Sequence, residues 1–252
     1  MPTRDKSWSA GTPCWIDYGA ADLDAAKSFY SDILGWTYTG GEAEYGGYLT
    51  ARIGDRAAAG MAPQMDPSDP PRWTTYMATD DADATAARIT EAGGTIVGAP
   101  MDVGPMGRMV IALDPQGNPF GLWQAGEHTG VTIHNEPGAL AWNDAAVDDP
   151  DAAQAFYGAV FDYRFDPMEG MDGYATFATG GSPLGGIGAL QPGTPKGWTT
   201  CFSVASTDSA VAAAQKAGAT ITMAPLDTEF GRFAVLEDPW GAAFSVMQDP
   251  PA

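Results

Sequence analysis

The amino-acid sequence predicts an α+β protein made of one domain written twice, each copy being strand–helix–strands repeated as two modules. Three observations predict it. Blocks of residues recur at an offset that drifts from 127 to 124 along the chain. Within each copy, short β-branched or aromatic runs alternate with capped segments of helical period. The length, 252 residues, suits two domains of about 100–150 residues.

The repeat is explicit. Trp15, Asp17, Asp22, Phe29 and Tyr30 correspond to Trp142, Asp144, Asp149, Phe156 and Tyr157 at an offset of 127. "GYLTARIGDRAAAGM" from Gly47 matches "GYATFATGGSPLGGI" from Gly173 at 126, and "WTTY" at Trp73 matches "WTTC" at Trp198 at 125. "GRMVIALDPQGNPFGL" from Gly107 matches "GRFAVLEDPWGAAFSV" from Gly231 at 124. Single deletions in the loops absorb the drift. The expected boundaries are 11–125 for the first domain, 126–138 for a linker and 139–249 for the second domain.

Each copy opens on a strand, Cys14–Gly19 in the first, which feeds a helix from Asp22 to about Leu34. Asp22 caps the first turn, and Leu23, Ala26, Tyr30 and Ile33 share one helical face. In the second copy Asp149 caps, and Pro150 takes the first helical position, where its missing N–H costs nothing. Strands follow near Tyr48–Ile53 and Ala57–Ala62. The second module repeats the theme: a strand at Trp73–Thr79, then a helix from about Asp81 to Ala92 that Gly93 ends. Strands near Thr95–Val97, Met109–Leu113 and Phe120–Gln124 complete it. "DPQG" and "DPWG" read as type I turns before the last strand of each copy.

Composition narrows the function. The 32 acidic and 12 basic residues give a formal charge of −20, which repels phosphate backbones and argues against nucleic acid. It suits a soluble surface and attracts cationic ligands. Two cysteines, Cys14 and Cys201, make no disulfide framework and fit a reducing compartment. No stretch reaches transmembrane length and the N-terminus lacks an apolar signal core, so a soluble cytoplasmic protein without membrane partners is expected. Both histidines, His128 and His134, fall in the linker. With no third histidine or cysteine beside them, and Glu127 and Glu136 at no metal-binding spacing, they read as ordinary linker residues.

The pattern D-x-x-x-A-x-x-F-Y-x-x-x-L-G-W from Asp22, with "AGG" at Ala92 and "DPQGNPFGL" at Asp114, resembles the vicinal oxygen chelate superfamily: glyoxalase I, extradiol dioxygenases and bleomycin-resistance proteins. The resemblance covers nearly the whole chain. It is similar in particular to tandem glyoxalase-like proteins of actinobacteria. It implies two tandem glyoxalase-like domains, each of two βαβββ modules forming an open barrel-like cleft. It also implies where a metal would be held in metal-using members. There, His or Gln stands seven residues before the helix-capping Asp of the first module and His seven before that of the second, Glu seven after the final D-P-x-G aspartate, and in some members Glu on the first module's last strand. The corresponding residues are Trp15, Thr74, Gly121 and Gly60 or Met61, and in the second copy Trp142, Thr199, Ser245 and Gly186 or Ile187. Indole donates a hydrogen bond but accepts none, so tryptophan ligates no metal. Neither a metal nor another cofactor is expected.

Strand alternation extends the reading. If Trp15 points into the cleft, so do Asp17, Thr74, Tyr76, Gly121 and Trp123, with open space over Gly121. The second set is Trp142, Asp144, Thr199, Cys201, Ser245 and Met247, and the first is the richer in aromatic surface. Such walls suit a small aromatic or cationic molecule; they equally suit tryptophans that fill a cleft as core. Asp17 and Asp144 are the acid–base candidates, because burial beside an indole raises a carboxyl pKa. Arg108 and Arg232, in paired "GR" positions, read either as ligand anchors or as structural partners of an Asp. Cys201 has no neighbouring cation to make it a thiolate. The expected function is metal-independent binding or sequestration of a small organic molecule, linked to secondary metabolism or drug resistance, by a monomer or homodimer. The alternative is a metal-independent lyase or isomerase, or a cofactor-assisted hydroxylase or oxygenase, using Asp17 or Asp144. Metal-dependent glyoxalase I or dioxygenase chemistry is the reading least supported.

Overall fold

The computed structural model describes residues 4–250 except Asp5, Met65, Pro67 and Asp172. The first half runs β1 (Pro13–Ala20), α1 (Leu23–Leu34), β2 (Thr37–Gly40), β3 (Leu49–Ile53), β4 (Arg56–Pro63), β5 (Arg72–Ala78), α2 (Ala82–Glu91), β6 (Thr95–Ile96), β7 (Met101–Asp102), β8 (Gly107–Leu113) and β9 (Pro119–Ala125). The second runs β10 (Leu140–Val147), α3 (Pro150–Phe161), β11 (Arg164–Pro167), β12 (Ala175–Ala178), β13 (Gly185–Ala189), β14 (Gly197–Ser203), α4 (Thr207–Lys216), β15 (Thr220–Thr228), β16 (Gly231–Glu237) and β17 (Ala243–Gln248). The sequence reading lacks β2, β7 and β11. They are two to four residues long and largely exposed, with too little apolar alternation to show. Among the described residues, no helix is long and apolar enough to cross a membrane.

Each half is one sheet. The first has the order β2-β3-β4-β1-β5-β9-β8-β6, with β7 on β8, and the second is β11-β12-β13-β10-β14-β17-β16-β15. The two modules of a half meet where β1 pairs antiparallel with β5, and β10 with β14. The end strands are not joined, so neither sheet closes into a barrel.

Local chemistry starts the helices where the sequence places them. Asp22, Asp81 and Asp149 accept hydrogen bonds from the backbone N–H three residues on, at 2.9–3.0 Å. Gly35 closes α1 at φ 73°, while its counterpart Asp162 takes the left-handed conformation at φ 59° to close α3.

Helix α1 packs on α4 and α2 on α3, each pair joining one helix from each half. The cores are correspondingly mixed. Phe29, Tyr30, Trp36 and Trp73 of the first half pack with Phe202 and Phe244 of the second, and Phe120 of the first packs with Phe156, Tyr157 and Phe161 of the second. The helix-bearing faces of the two sheets are thus buried against each other. The opposite faces look away from the partner sheet and form the two clefts.

The aspartates of the "DPxG" turns reach across this junction. Asp238, 3% exposed, accepts from the hydroxyls of Tyr18 at 2.7 Å and Tyr30 at 2.9 Å, as well as from the backbone of Trp240 and Ala242. Trp73 Nε1 donates to Tyr30 Oη at 2.9 Å. The mirror set has Tyr157 Oη donating to Asp114 at 3.2 Å and Trp198 Nε1 donating to Tyr157 Oη at 2.8 Å. Asn118 Nδ2, at 2.8 Å, supplies the donor that Tyr18 supplies to Asp238. Burial beside these carboxylates pushes the Tyr30 and Tyr157 hydroxyls well above their ordinary pKa, so both stay protonated as donors.

Replacing Tyr30 by Phe leaves buried Trp73 Nε1 without its acceptor and removes a donor from Asp238. The expected cost is about 1–3 kcal/mol in urea denaturation, with a similar cost for Tyr157→Phe. A loss below about 0.5 kcal/mol in both would show that these hydroxyls do not hold the halves together.

Candidate functional site

The registers fix which side chains share each cleft. In β1 and β5, Trp15 lies opposite Tyr76 and Asp17 opposite Thr74; β5 and β9 set Tyr76 beside Gly121. In β10 and β14, Trp142 lies opposite Cys201 and Asp144 opposite Thr199, and Cys201 sits beside Ser245. Intervening residues such as Tyr18, Ala145 and Phe202 point into the mixed cores. Arg108 and Arg232 are on the helix face too. Arg108 pairs in register with Gln124, one residue out of phase with Trp123, and its guanidinium meets Asp83 at 3.0 Å and Asp102 at 2.7 Å. Arg232 meets Asp208 and Asp227, each at 2.9 Å. The structural alternative is therefore the one that fits, and neither arginine reaches a cleft.

The floor of the first cleft is filled. Trp15 is 3% exposed, and its Nε1 donates to Tyr48 Oη at 2.8 Å. Tyr48 Oη donates onward to Asp17 Oδ2 at 3.4 Å. Tyr48 can lie there because position 60 is glycine: a Cβ on Gly60 would sit 1.9 Å from the hydroxyl. Open space was expected over Gly121, but the Tyr76 ring occupies it, 2.1 Å from where a Cβ would be.

The linker completes the closure. His128 packs edge-on to Trp15 with ring centroids 4.2 Å apart and lies 5.4 Å from Trp123. Trp123 Nε1 donates to the His128 carbonyl at 2.8 Å, and the backbone of 126–128 is bonded to Pro105 and Met106. His128 is thus part of the first cleft rather than an ordinary linker residue. Burial lowers its pKa to about 4, so the ring is neutral near pH 7. A cavity at the edge of this cleft, touching Trp123 but not Trp15, Asp17 or Tyr76, is about 130 Å³, below the range of small-molecule pockets.

The second cleft repeats the floor with smaller walls. Trp142 is half-buried, and its Nε1 donates to Asp144 Oδ1 at 2.9 Å. Tyr174 Oη donates to the same oxygen at 2.7 Å, over Gly186, where a Cβ would lie 1.9 Å from that hydroxyl. Where the first cleft has Tyr76, Gly121 and Trp123, the second has Cys201, Ser245 and Met247. A cavity of about 500 Å³, within the small-molecule range, lies beside it: Thr176, in register with Gly186 and through it with Asp144, is on its wall, while Trp142, Asp144 and Thr199 do not line it. Asp166 and Met168 line one side and Glu229 and Phe230 the other, so the two ends of the sheet curl toward each other. The richer aromatic surface of the first cleft is spent on filling it; the second is the open one.

Electrostatics follow burial. Burial lifts the Asp17 carboxyl to about 7, opposed by hydrogen bonds from Tyr76 and Tyr48. Asp144 is raised by the same cause, opposed by Tyr174 and Trp142. Cys201 is pushed up to about 12 by burial and remains a thiol.

The residues at the ligand positions do not fit the metal of metal-using relatives. Among the described residues, no three His, Cys, Asp or Glu side chains are grouped to hold an ion. The places of the two glutamates, Gly121 and Gly60, are covered by tyrosines of this chain. Sequence reasoning missed Tyr48, Tyr174 and the placement of His128. The repeated "GY" blocks and the paired glycines at 60 and 186 carry the signal for the tyrosines.

The profile of the Glyoxalase/Bleomycin resistance protein/Dioxygenase superfamily matches residues 15–122, and that of the Glyoxalase-like domain matches residues 143–247. The chain is similar to the "Putative glyoxylase CFP32" of Mycobacterium bovis, 40% identical over 100% of this chain and 99% of that protein. It is also similar to "Anthracycline biosynthesis protein DauV" of a Streptomyces species, 34% identical over 96% of this chain and 94% of that protein. In fold it resembles the Mn(II)-bound glyoxalase from Novosphingobium aromaticivorans, with a TM-score of 0.67 at 16% identity over 95% of this chain and 82% of that one.

Asp17 gives a pH test of the closed cleft. Its folded pKa of about 7 lies above the ordinary 3.8, so ionising it costs stability. The cost is absent below the lower value and grows as pH rises through the window to the upper one. Asp17→Asn is therefore expected to gain on the wild type between pH 4 and 8, by up to ~4 kcal/mol in urea denaturation. A difference that does not change with pH would show that the carboxyl is solvated.

Proposed function

The chain belongs to the glyoxalase/bleomycin resistance protein/dioxygenase superfamily, and within it we propose metal-independent binding of a small aromatic or cationic organic molecule in the second cleft. The observation that carries this reading is the contrast between the clefts. One is filled by its own tyrosines and His128. The other keeps the same tryptophan–aspartate floor without those covering rings, beside a cavity of about 500 Å³ that Thr176 joins to the cleft face.

The second cleft's chemistry supports the ligand class. Trp142, Phe233 and Met247 are half-buried on its face, and Phe230 stands at the mouth with half its surface exposed. Indole and phenyl faces stack on planar rings. Asp166, Glu169 and Glu229 make the rim acidic, within a chain whose net charge is −20. A positive group on a ligand is therefore drawn in and an anionic one repelled. The likeness to a protein named for anthracycline biosynthesis agrees with a planar polycyclic ligand and a place in secondary metabolism, as sequestration or carriage.

Calorimetry and thermal shift with planar aromatics, such as 1,8-dihydroxyanthraquinone and the cation proflavine, test the reading. Binding is expected in the wild type, weakened about tenfold by Trp142→Ala through loss of one stacking face. Trp15→Ala is expected to lower the melting temperature and leave affinity unchanged. Equal weakening by both substitutions would remove the assignment to the second cleft, and failure of every compound to bind would remove the proposed function.

A further inference from the structure

The polar floor of the second cleft is arranged asymmetrically about Asp144. Both protein donors, Tyr174 Oη at 2.7 Å and Trp142 Nε1 at 2.9 Å, converge on Oδ1. No described residue donates a hydrogen bond to Oδ2. Thr199 is the register partner of Asp144 across β10 and β14, so the two side chains leave the same face with Cβ atoms about 5 Å apart. Thr199 is 9% exposed, and no described residue bonds its hydroxyl. Yet no buried side-chain nitrogen or oxygen among the described residues lacks a partner. The free carboxylate oxygen and the free hydroxyl must therefore both open onto the cleft.

Asp17 differs in what surrounds it: Tyr48 donates to its Oδ2 at 3.4 Å, the Tyr76 ring lies over Gly121, and His128 packs on Trp15. Cys201 in place of Tyr76 is what leaves Asp144 reachable.

We propose that Asp144 and Thr199 form a metal-free proton-transfer pair acting on an enolisable aromatic ketone, an activity that rests on ligand binding in the second cleft. Asp144 Oδ2 takes the proton from the carbon next to the carbonyl. The C–H electron pair becomes the C=C bond, and the carbonyl π pair moves onto oxygen. The Thr199 hydroxyl donates to that enolate oxygen. Tyr174 and Trp142 hold Oδ1, so the carboxyl keeps Oδ2 turned toward the substrate. The carboxylic acid then returns the proton to the same carbon or to another carbon of the conjugated system. Only a proton moves, so no oxidant or reductant is needed. Burial, which raises the Asp144 pKa, strengthens it as a base once it is ionised.

The experiment is hydrogen–deuterium exchange of 2-tetralone and its one- to three-ring ketone analogues in D2O, followed by proton NMR, with binding read in parallel by saturation transfer. The wild type is expected to exchange the α-protons at least about a hundredfold faster than D144N, which should exchange at the buffer rate. D144N keeps an oxygen for Tyr174 and Trp142, so it should still fold and bind. T199V is expected to slow exchange by about tenfold or more and T199S to restore it. The rate should rise with pH through a midpoint above the ordinary carboxylate range, since the ionised form is the base. Binding without exchange above the buffer rate, or exchange unchanged in D144N, overturns the proposal and leaves the binding function standing. Failure of every ketone to bind overturns the proposal, and the planar-aromatic titrations decide the binding function separately.

Discussion

The structure depends on a buried carboxylate shared between its two halves. Asp238 is almost wholly out of water, and a charge there is tolerable only if hydrogen bonds replace its hydration. Two come from its own turn, through the backbone of Trp240 and Ala242, and two from tyrosines of the other half. Neither half can therefore complete this site by itself. The same hydroxyl of Tyr30 accepts from Trp73, so the carboxylate, the helix and the first strand of the next module are fixed as one unit. With Asp114 and Tyr157 repeating the arrangement, the helix faces are locked together and the opposite faces of both sheets are left to line clefts.

What lines those clefts follows from the two-residue period of a strand and from glycine. Trp15 and Asp17 must share a face, as must Trp142 and Asp144. Glycine at 60 and 186 then admits a tyrosine hydroxyl where any side chain would collide with it. The floor becomes a hydrogen-bonded cluster of indole, phenol and carboxyl, with no imidazole or carboxylate set to hold an ion. Two copies of that cluster survive, and their difference lies one strand away. An aromatic ring at Tyr76 covers Gly121, whereas the thiol of Cys201 is too short to cover the matching place.

Much of this was legible in the sequence because it depends on local rules. The repeat, the α+β class, the caps at Asp22, Asp81 and Asp149 and the floor residues of β1 and β10 come from spacing and alternation alone. Arg108 and Arg232 needed more, since only the pairing of β8 with β9 and of β16 with β17 shows them out of phase with the cleft residues. Tyr48 and Tyr174 precede their strands, so alternation does not fix their direction. The "DPxG" aspartates read as turn residues because their second pair of donors lies more than two hundred residues away for Asp238. His128 is illegible for a similar reason: its place is set by where the linker crosses the first sheet, not by its neighbours in the chain.

Duplication explains why the closed cleft and the open cleft coexist. A closed cleft adds to stability, because Trp15, Tyr76 and Trp123 bury large aromatic surfaces that an open cleft would leave wet. It also surrounds a carboxyl, Asp17, whose ionisation burial disfavours. The second half carries the same carboxyl without an aromatic ring in the place of Tyr76, and no described residue donates to its second oxygen. One half of the molecule has thus spent its cleft on the core. The other keeps a carboxylate oxygen to which no described residue donates and which is open to the cleft, an acceptor that a ligand can reach.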